Sequence, residues 1–384
     1  MTTTAGSATP ERLRPLWLTE TYPPSRGGMA ESCDRLVRGL RAAGVSVDLG
    51  HFLRRPGAAA VTERQEGGRL WGWPVDDDPA HALNLAFEQV AAEAAAPTHV
   101  VAFGGYLPML AGPLYAAWLG VPLVTLIRGN DFDANVFTPR RRDVLHQALS
   151  RSALVVSVAS DKARRIAALY PELTVRTIAN GIELDRWDAL PSDRTRADAL
   201  RVPGRRTIGL FGQLKRKKGA LFLLDALRRS GRADAFHVLL AGWLDPELEA
   251  WLGEAGLSID VRPFADRYDL VHLYLACDVV AIPSFYDGMP NVMVEAAALG
   301  VPLLASRVGG MADWLTDDED GLLFAPGDRA AAGWALERAA SLGDADLRAV
   351  GEAGRELVRT RLTAERETAE YVEALSAVLT PTAA

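Results

Sequence analysis

Two acidic residues, Asp287 and Glu295, lie eight positions apart in the segment Pro283–Gly300, PSFYDGMPNVMVEAAALG. The apolar run before this segment predicts a buried strand, and its second half predicts a helix that is apolar nearly all round. The turn between them would point backbone N–H groups and the positive end of the helix dipole outward, which suits a phosphate. Glu295 would lie too deep in the helix to meet that anion, but its carboxylate could accept hydrogen bonds from ribose hydroxyls. An ordinary Asp-Gly turn and a dipole-favoured Glu explain the same segment equally well.

Lysine usage gives a second clue to chemistry. Of the 42 basic residues only four are Lys, so Arg stands wherever either cation would serve. Three of the four, Lys215, Lys217 and Lys218, nevertheless fall between a predicted strand and a predicted helix. Because an ammonium is a compact point charge and a guanidinium is a planar fork, we expect at least one of these lysines to bind a phosphate at the strand end. A solvated basic loop is the alternative.

The elements that must position these residues alternate between strands and helices. Short apolar runs such as Pro15–Glu20 and Thr207–Phe211 predict buried parallel strands, and each precedes a helical segment. The alternation pauses over the charged, aperiodic stretch Glu183–Pro203 and then restarts. We therefore predict an α/β fold with two Rossmann-like doubly wound domains, joined by this stretch as a linker.

Polar and glycine-rich turns follow several of the predicted strands. Gly27 and Gly28, after the first strand, would let a ligand approach the backbone closely, but GxGxxG is absent and no dinucleotide site is indicated. The hexapeptide Arg128–Asp133 follows another strand, and ligands gather at such carboxyl ends in open sheets. Its Asp131-Phe132-Asp133 could hold a metal, but without further ligands nearby a turn or helix cap is favoured.

Composition restricts the class of protein. The 384 residues are 49% hydrophobic and 24% charged, which is typical of a soluble globular protein with two or three domains. The net charge of −7 argues against a general nucleic-acid binder. A solvated helix face is favoured for the basic run Arg140–Arg142, with a membrane-contact patch as the alternative. Two distant cysteines and the lack of a secretory h-region predict a cytoplasmic protein.

In this order and spacing, the pieces resemble the retaining glycosyltransferases of family 4, the group 1 type with the GT-B fold. The resemblance covers most of the chain and is strongest over residues 175–328. The family's acid–seven–acid motif matches Asp287 to Glu295, and its glycine- and lysine-containing stretch matches Gly212–Gly219, with Lys218 at the phosphate-binding lysine. Further matches are Asn180–Glu183 for the NGVD turn, Gly27-Gly28 for the first glycine pair, Val308–Gly310 and Gly321–Asp328.

Three positions depart from the family pattern. The first acid is Asp287 where Glu is commoner, Gln213 replaces a donor-phosphate arginine, and Arg128 replaces a histidine that contacts the donor sugar. Lys215 or Arg216 could supply the missing cation. The identity of the sugar stays open.

The resemblance implies retaining transfer from a nucleotide-diphosphate sugar to a hydroxyl or other nucleophile of a small-molecule or carbohydrate acceptor, with no metal and no cofactor. Glu295 would hold the ribose, and Lys218 would neutralise the departing diphosphate. The implied catalytic residues are Lys218, Asp287 and Arg128. The implied donor-binding residues are Gly27, Gly28, Gln213, Lys215, Lys218, Asp287, Gly288, Met289, Pro290, Asn291, Val292 and Glu295. The expected acceptor contacts are Tyr106, Arg128 and Asp131, with Trp71 and Trp73 beside them.

The same resemblance divides the chain into an acceptor-binding domain (1–190), a donor-binding domain (191–362) facing it across a cleft, and a C-terminal helix (363–384) that crosses back to the first domain. Three alternatives within the fold stay open: a sugar-nucleotide epimerase, a phosphorylase, and a non-catalytic nucleotide-sugar-binding protein. The nucleotide base, the acceptor and the oligomeric state are not indicated.

Overall fold

Alternating apolar strands and helices build two α/β units. The computed structural model describes residues 12–54 and 57–379 of the chain. One unit comprises the chain up to Ala179 together with the segment from Ala364, and the other comprises Asn180–Thr363. The first boundary lies eleven residues before the predicted one at residue 190, since Asn180 already hydrogen-bonds to Met289 of the second unit.

The first unit contains an eight-stranded sheet in the order β3-β4-β2-β1-β5-β6-β7-β8, parallel except for the β3–β4 hairpin. Its strands are β1 (Pro15–Thr19), β2 (Asp48–Leu53), β3 (Val61–Gln65), β4 (Gly68–Pro74), β5 (His99–Phe103), β6 (Leu123–Ile127), β7 (Ser152–Ser157) and β8 (Val175–Thr177). Its first helices are α1 (Gly28–Ala42), α2 (Pro79–Ala91), α3 (Tyr106–Leu119), α4 (Asn130–Asp133), α5 (Pro139–Ser150) and α6 (Ser160–Leu169).

Both faces of this sheet are buried along its central strands, such as β1, β5 and β6. Side chains alternate along β1, so Trp17 joins the apolar cluster on one face while Leu16 and Leu18 join the cluster on the other. The strand order reverses between β1 and β5. Ligands of open α/β sheets bind outside the carboxyl ends of strands at such a reversal, so the segments after β1 and β5 are the expected binding edge of this unit.

The second unit contains a six-stranded parallel sheet in the order β11-β10-β9-β12-β13-β14, which reverses between β9 and β12. Its strands are β9 (Arg206–Leu214), β10 (Phe236–Leu244), β11 (Ile259–Arg262), β12 (Val279–Ile282), β13 (Leu303–Ser306) and β14 (Leu322–Phe324). Its helices are α7 (Pro191–Asp198), α8 (Ala220–Arg229), α9 (Pro246–Leu252), α10 (Arg267–Leu275), α11 (Asn291–Ala298), α12 (Gly309–Trp314), α13 (Arg329–Ser341) and α14 (Asp344–Arg361).

The prediction of a linker over Glu183–Pro203 is wrong. Helix α7 lies inside this stretch, and the carboxylate of Asp193 accepts a hydrogen bond from the backbone N–H of Leu190 at its start. Arg196 then pairs with Asp269 of α10 at 2.8 Å. The stretch lacks an apolar period because much of its attachment to the second unit is polar, and such attachment leaves no hydrophobic pattern to read.

The last helix, α15 (Ala364–Leu379), belongs to the first unit, where it packs on α1. The Arg35 guanidinium donates to both carboxylate oxygens of Glu367, at 2.9 and 3.3 Å, and both side chains are buried. Tyr371 and Leu375 of α15 complete the apolar cluster on the same face. None of the helices in the described part of the chain is both long and apolar enough to cross a bilayer.

Removing one partner of the buried pair should destabilise the first unit strongly. Glu367→Ala leaves the Arg35 guanidinium buried without its carboxylate, which costs about 3–5 kcal/mol in the free energy of unfolding. The matched control is Glu373→Ala on the same helix, because its pair with Arg176 is exposed and should contribute about 1 kcal/mol or less. Urea denaturation of the three proteins measures both changes, and equal losses in the two variants would contradict the importance of the buried pair.

Candidate functional site

Lys218 and Asp287 meet at the carboxyl edge of the second sheet. Lys218 follows β9 and Asp287 follows β12, the two strands between which the strand order reverses. The Lys218 ammonium lies 2.5 Å from Oδ2 of Asp287, so residues 69 positions apart form one ion pair. The Lys218 side chain is 27% exposed, which leaves its ammonium within reach of a ligand.

The Asp287 carboxylate is held in its ionised form. Ser284 donates to Oδ2 at 3.1 Å, and the backbone N–H of Gly288 donates to Oδ1 at 3.0 Å. Burial alone would raise the pKa of Asp287, but the charges of Lys218 and Lys217 and the hydrogen bonds from Lys218 and Ser284 outweigh it and lower that pKa. The Asp287 carboxylate is therefore ionised at neutral pH.

A glycine allows the lysine segment to approach the strand end. Gly219 has φ +70°, and a Cβ there would collide with the carbonyl oxygen of Pro283. The backbone N–H of Phe285 also donates to the carbonyl of Lys217 at 2.9 Å. The segments after β9 and β12 are thus joined through their backbones as well as through the ion pair.

The turn Gly288–Asn291 is held from two further directions. Gly309 has φ +51°, and a Cβ there would collide with the carbonyl oxygens of Asp287 and Gly288. On another side the Asn180 amide donates to the carbonyl of Met289 at 2.7 Å. The two motifs around Gly309 and Asn180 therefore support the turn that begins α11.

Helix α11 begins after Pro290 with no side-chain cap. The first N–H groups of a helix have no partner within the helix, so Val292 can present a donor to an anion here. Glu295 lies one turn further along and is half-buried. Its Oε2 accepts a hydrogen bond of 2.7 Å from the buried phenol of Tyr274 on α10.

Gln213 and Lys215 lie at the end of a longer strand than predicted. β9 continues to Leu214 because it pairs with β10 up to Leu244. Gln213 and Lys215 are exposed, and the Lys215 ammonium lies 5.9 Å from the ring centroid of Trp243. Lys215 is therefore available as a second cation at the edge that carries Lys218, whereas Gln213 brings no charge.

In the first unit, Glu20 organises the edge between β1 and β5. Its carboxylate accepts hydrogen bonds from the backbone N–H groups of Tyr106, at 2.8 Å, and Leu107, at 3.2 Å. It thereby occupies the N-terminus of α3, where a negative charge is favoured by the helix dipole. Gly27, with φ +117°, and the exposed Gly28 begin α1 at the same edge.

Arg128 and Asp131 follow β6 in the first unit. Asp131 accepts hydrogen bonds from the backbone N–H groups of Arg128 and Gly129, the nearest at 2.7 Å. Burial raises the pKa of Asp131 despite these hydrogen bonds. The Arg128 guanidinium lies over the ring of Phe103 at 5.1 Å and donates to the Tyr371 phenol at 3.3 Å. Arg128 and Asp131, two of the three predicted acceptor residues, are thus held by contacts within the first unit.

Two predicted acceptor contacts are wrong. Trp71 and Trp73 lie on β4 with stacked rings and are 1% and 6% exposed. They belong to the apolar core, so an acceptor cannot reach their rings.

Asp131 and Asp133, the two acids considered as a metal pair, both have structural partners. Asp131 accepts the backbone hydrogen bonds described above, and Asp133 pairs with the buried Lys162 at 3.2 Å. Over the described residues no group of three His, Cys, Asp or Glu side chains could hold a metal ion.

Three functional candidates escaped the sequence interpretation. Glu20 directly follows β1 and Ser284 lies two residues after β12, so their position at a carboxyl end was a usable signal. Tyr274 lies on a helix among apolar residues and gives no local sign of its bond to Glu295.

Solved structures define the class of fold. The sucrose-phosphate synthase of Thermosynechococcus elongatus superposes with a TM-score of 0.80 at 19% identity, over 97% of this chain and 100% of the other. Anabaena HepE in complex with UDP-glucose superposes with a TM-score of 0.78 at 18% identity, over 95% and 100%. These neighbours have the GT-B fold, so the predicted fold class is confirmed.

Family models define the particular family. The model described as Glycosyltransferase Family 4 matches residues 26–186, and the model described as Glycosyl transferases group 1 matches residues 205–342. The first covers most of the N-terminal part of the first unit, and the second lies within the second unit. The chain belongs to the family 4, group 1 type glycosyltransferases.

Curated relatives agree with this family. A D-inositol 3-phosphate glycosyltransferase of Xylanimonas cellulosilytica is 32% identical over 222 residues, 54% of this chain and 53% of the relative. One from Jonesia denitrificans is 29% identical over 369 residues, 85% and 86% of the two chains. The 2-deoxystreptamine glucosyltransferase of Streptomyces kanamyceticus is 27% identical over 237 residues, 57% and 61%. The matched region thus spans about half the length of the first of these relatives.

The pKa of Asp287 predicts an acid-dependent loss of stability. Because this pKa is lower in the folded chain than the unfolded value near 3.9, the stability contributed by the charge is complete above about pH 5 and falls as the pH drops through the folded value. The free energy of unfolding of the wild type minus that of Asp287→Asn should therefore shrink between about pH 5 and pH 2.

Urea denaturation at a series of pH values measures this difference. Asp234→Asn is the control, because that carboxylate is fully exposed and its removal should change little at any pH. A wild-type advantage that stays constant or grows on acidification would show that the Lys218–Asp287 pair does not hold Asp287 ionised.

Proposed function

We propose that this protein is a retaining glycosyltransferase that moves a sugar from a nucleotide-diphosphate sugar to a hydroxyl, or another nucleophile, of a small acceptor. The observation that carries the proposal is the ion pair of Lys218 and Asp287 at the strand-order reversal of the second sheet. A partly exposed ammonium at that edge, together with a helix start that has no side-chain cap, suits the binding of an anion such as a diphosphate.

In this proposal the diphosphate lies between Lys218 and the first turn of α11. Lys218 supplies a point charge, and the backbone N–H of Val292 supplies a donor. Their task is to stabilise the negative charge that develops on the leaving diphosphate, and such prearranged electrostatic stabilisation is usually the largest catalytic contribution. The acceptor then attacks from the side of the leaving group, whose phosphate can take the acceptor's proton.

Asp287 acts through Lys218 in this scheme. Its carboxylate holds the ammonium in place, so the lysine needs little reorganisation when the diphosphate binds. The backbone N–H of Gly288 is already bonded to Asp287, so this turn is fixed before the donor arrives. Glu295 binds the ribose hydroxyls further along α11.

The first unit supplies the acceptor contacts in the proposal. Tyr106, Arg128 and Asp131 lie after strands β5 and β6, at the edge where ligands of such sheets bind. Two relatives bear names that contain D-inositol 3-phosphate and 2-deoxystreptamine. We therefore propose a small ring compound with several hydroxyl or amino groups as the acceptor class.

No metal and no cofactor takes part in this mechanism, since Lys218 and the helix start carry the charge stabilisation that a metal would otherwise supply. We also propose that the protein acts in the cytoplasm. Its two cysteines, Cys33 and Cys277, are both unpaired and buried, which accords with a reducing compartment.

Donor binding is tested first, with a thermal-shift screen of UDP, GDP, TDP and their sugars. A ligand at 100 times its Kd should stabilise the folded chain by about 2.7 kcal/mol. The nucleoside that corresponds to the best ligand is the control, and it should stabilise far less because it lacks the diphosphate. If no member of the panel raises the melting temperature, the donor site is wrongly assigned.

Catalysis is tested with Lys218→Ala. Loss of one transition-state charge contact should lower kcat by on the order of 10²-fold, measured as release of nucleoside diphosphate from the donor. Arg229→Ala is the control, because this cation is exposed on α8 of the same unit and pairs with Asp225. Near-wild-type turnover in a folded Lys218→Ala protein would refute the assignment.

A further inference from the structure

Tyr274 is fully buried, and its phenol donates a hydrogen bond of 2.7 Å to Oε2 of Glu295. The two residues lie on different helices, α10 and α11. A phenol that donates to a carboxylate forms a charge-assisted hydrogen bond, which is stronger and more directional than a neutral one. This bond therefore constrains the direction in which the Glu295 carboxylate points.

The Tyr274 ring is itself held rigidly. Its centroid lies 4.3 Å from that of Phe211, at an interplanar angle of 35°, and 5.9 Å from that of Trp187. Phe211 belongs to β9, the strand that leads to Lys218. Because buried rings in such contacts have little freedom to reorient, the phenol oxygen has one position relative to the strand.

The chemistry of the bond fits a permanent role. Burial raises the pKa of Tyr274 well above its ordinary value, and the charge of Glu295 raises it further. The phenol therefore remains a donor at physiological pH. Glu295 itself is half-buried, so its side chain stays accessible to the hydroxyls of a ligand.

We propose that Tyr274 is a positioning residue that orients Glu295 toward the ribose hydroxyls of the donor, and that it thereby sets a preference for ribonucleotides over 2′-deoxyribonucleotides. The inference rests on the proposed function, which places the donor ribose at Glu295. A site built to hydrogen-bond a hydroxyl discriminates strongly against an analogue that lacks it, because its polar groups are then left unpaired. A carboxylate that is not held in one orientation discriminates less.

The test compares two ligands on one protein. The tightest-binding member of UDP, GDP and ADP is titrated calorimetrically against its 2′-deoxy analogue. We expect the wild type to favour the ribonucleotide by about tenfold or more, on the scale of one hydrogen bond to a charged group. In Tyr274→Phe the ratio of the two Kd values should fall to about twofold.

Tyr115→Phe is the matched control. Tyr115 is a buried tyrosine of the first unit whose phenol donates to the carbonyl of Leu83. Removal of its hydroxyl should change stability but leave the ratio of Kd values at the wild-type level. If Tyr274→Phe weakens both ligands equally, or leaves the ratio unchanged, Tyr274 has only a structural role and the inference is refuted.

A second variant covers the case in which Tyr274→Phe does not fold. Phe211→Leu loosens the ring contact and keeps the phenol, so it should lower the ratio part of the way, and an unchanged ratio would refute the inference. If the wild type binds neither these three ribonucleotides nor TDP, the proposed donor site itself fails, and if it binds TDP alone, the inferred preference for ribonucleotides is refuted. If it binds one but Tyr274→Phe keeps the discrimination, the donor site stands and only the role of Tyr274 is lost.

Discussion

The ion pair between Lys218 and Asp287 is the interaction on which the rest of the second unit's edge depends. It joins the segments after β9 and β12, the two strands where the strand order reverses. When no anion is bound, the Lys218 ammonium needs another partner, since an unpaired charge in a partly buried position is costly in free energy. Asp287, whose own pKa is lowered by the lysine charges, is this partner and holds the ammonium in place.

Close backbone packing makes this pair possible. At Gly219 and Gly309 a side chain would strike carbonyl oxygens of the Pro283–Gly288 segment, so both neighbouring segments lie directly against it. Asn180 holds the same turn from the start of the unit. The glycines and amides of the motifs thus act together to fix one turn, and this turn places the start of α11 where an anion can meet its N–H groups.

The sequence interpretation succeeded where chemistry is local. The rarity of lysine drew attention to Lys218 between a predicted strand and a predicted helix, and the apolar pattern after Pro290 predicted helix α11. Both were readable because strand ends and helix starts are encoded by neighbouring residues. It failed for Trp71 and Trp73, which looked like exposed contacts but fill the core. An exposed aromatic and a buried one look alike in a sequence, since burial depends on which strands become neighbours in the sheet.

The sequence by itself determined the alternation of strands and helices in two successive units and the family, and it singled out the lysine that we propose binds phosphate, because each follows from residue type and spacing along the chain. Only the tertiary structure decided which distant residues pair. It set Asp287 against Lys218, Tyr274 against Glu295 and Glu20 against the start of α3. The physical reason is that these bonds join separate elements, whose distance and direction are fixed by strand order and helix packing and leave no pattern in the chain.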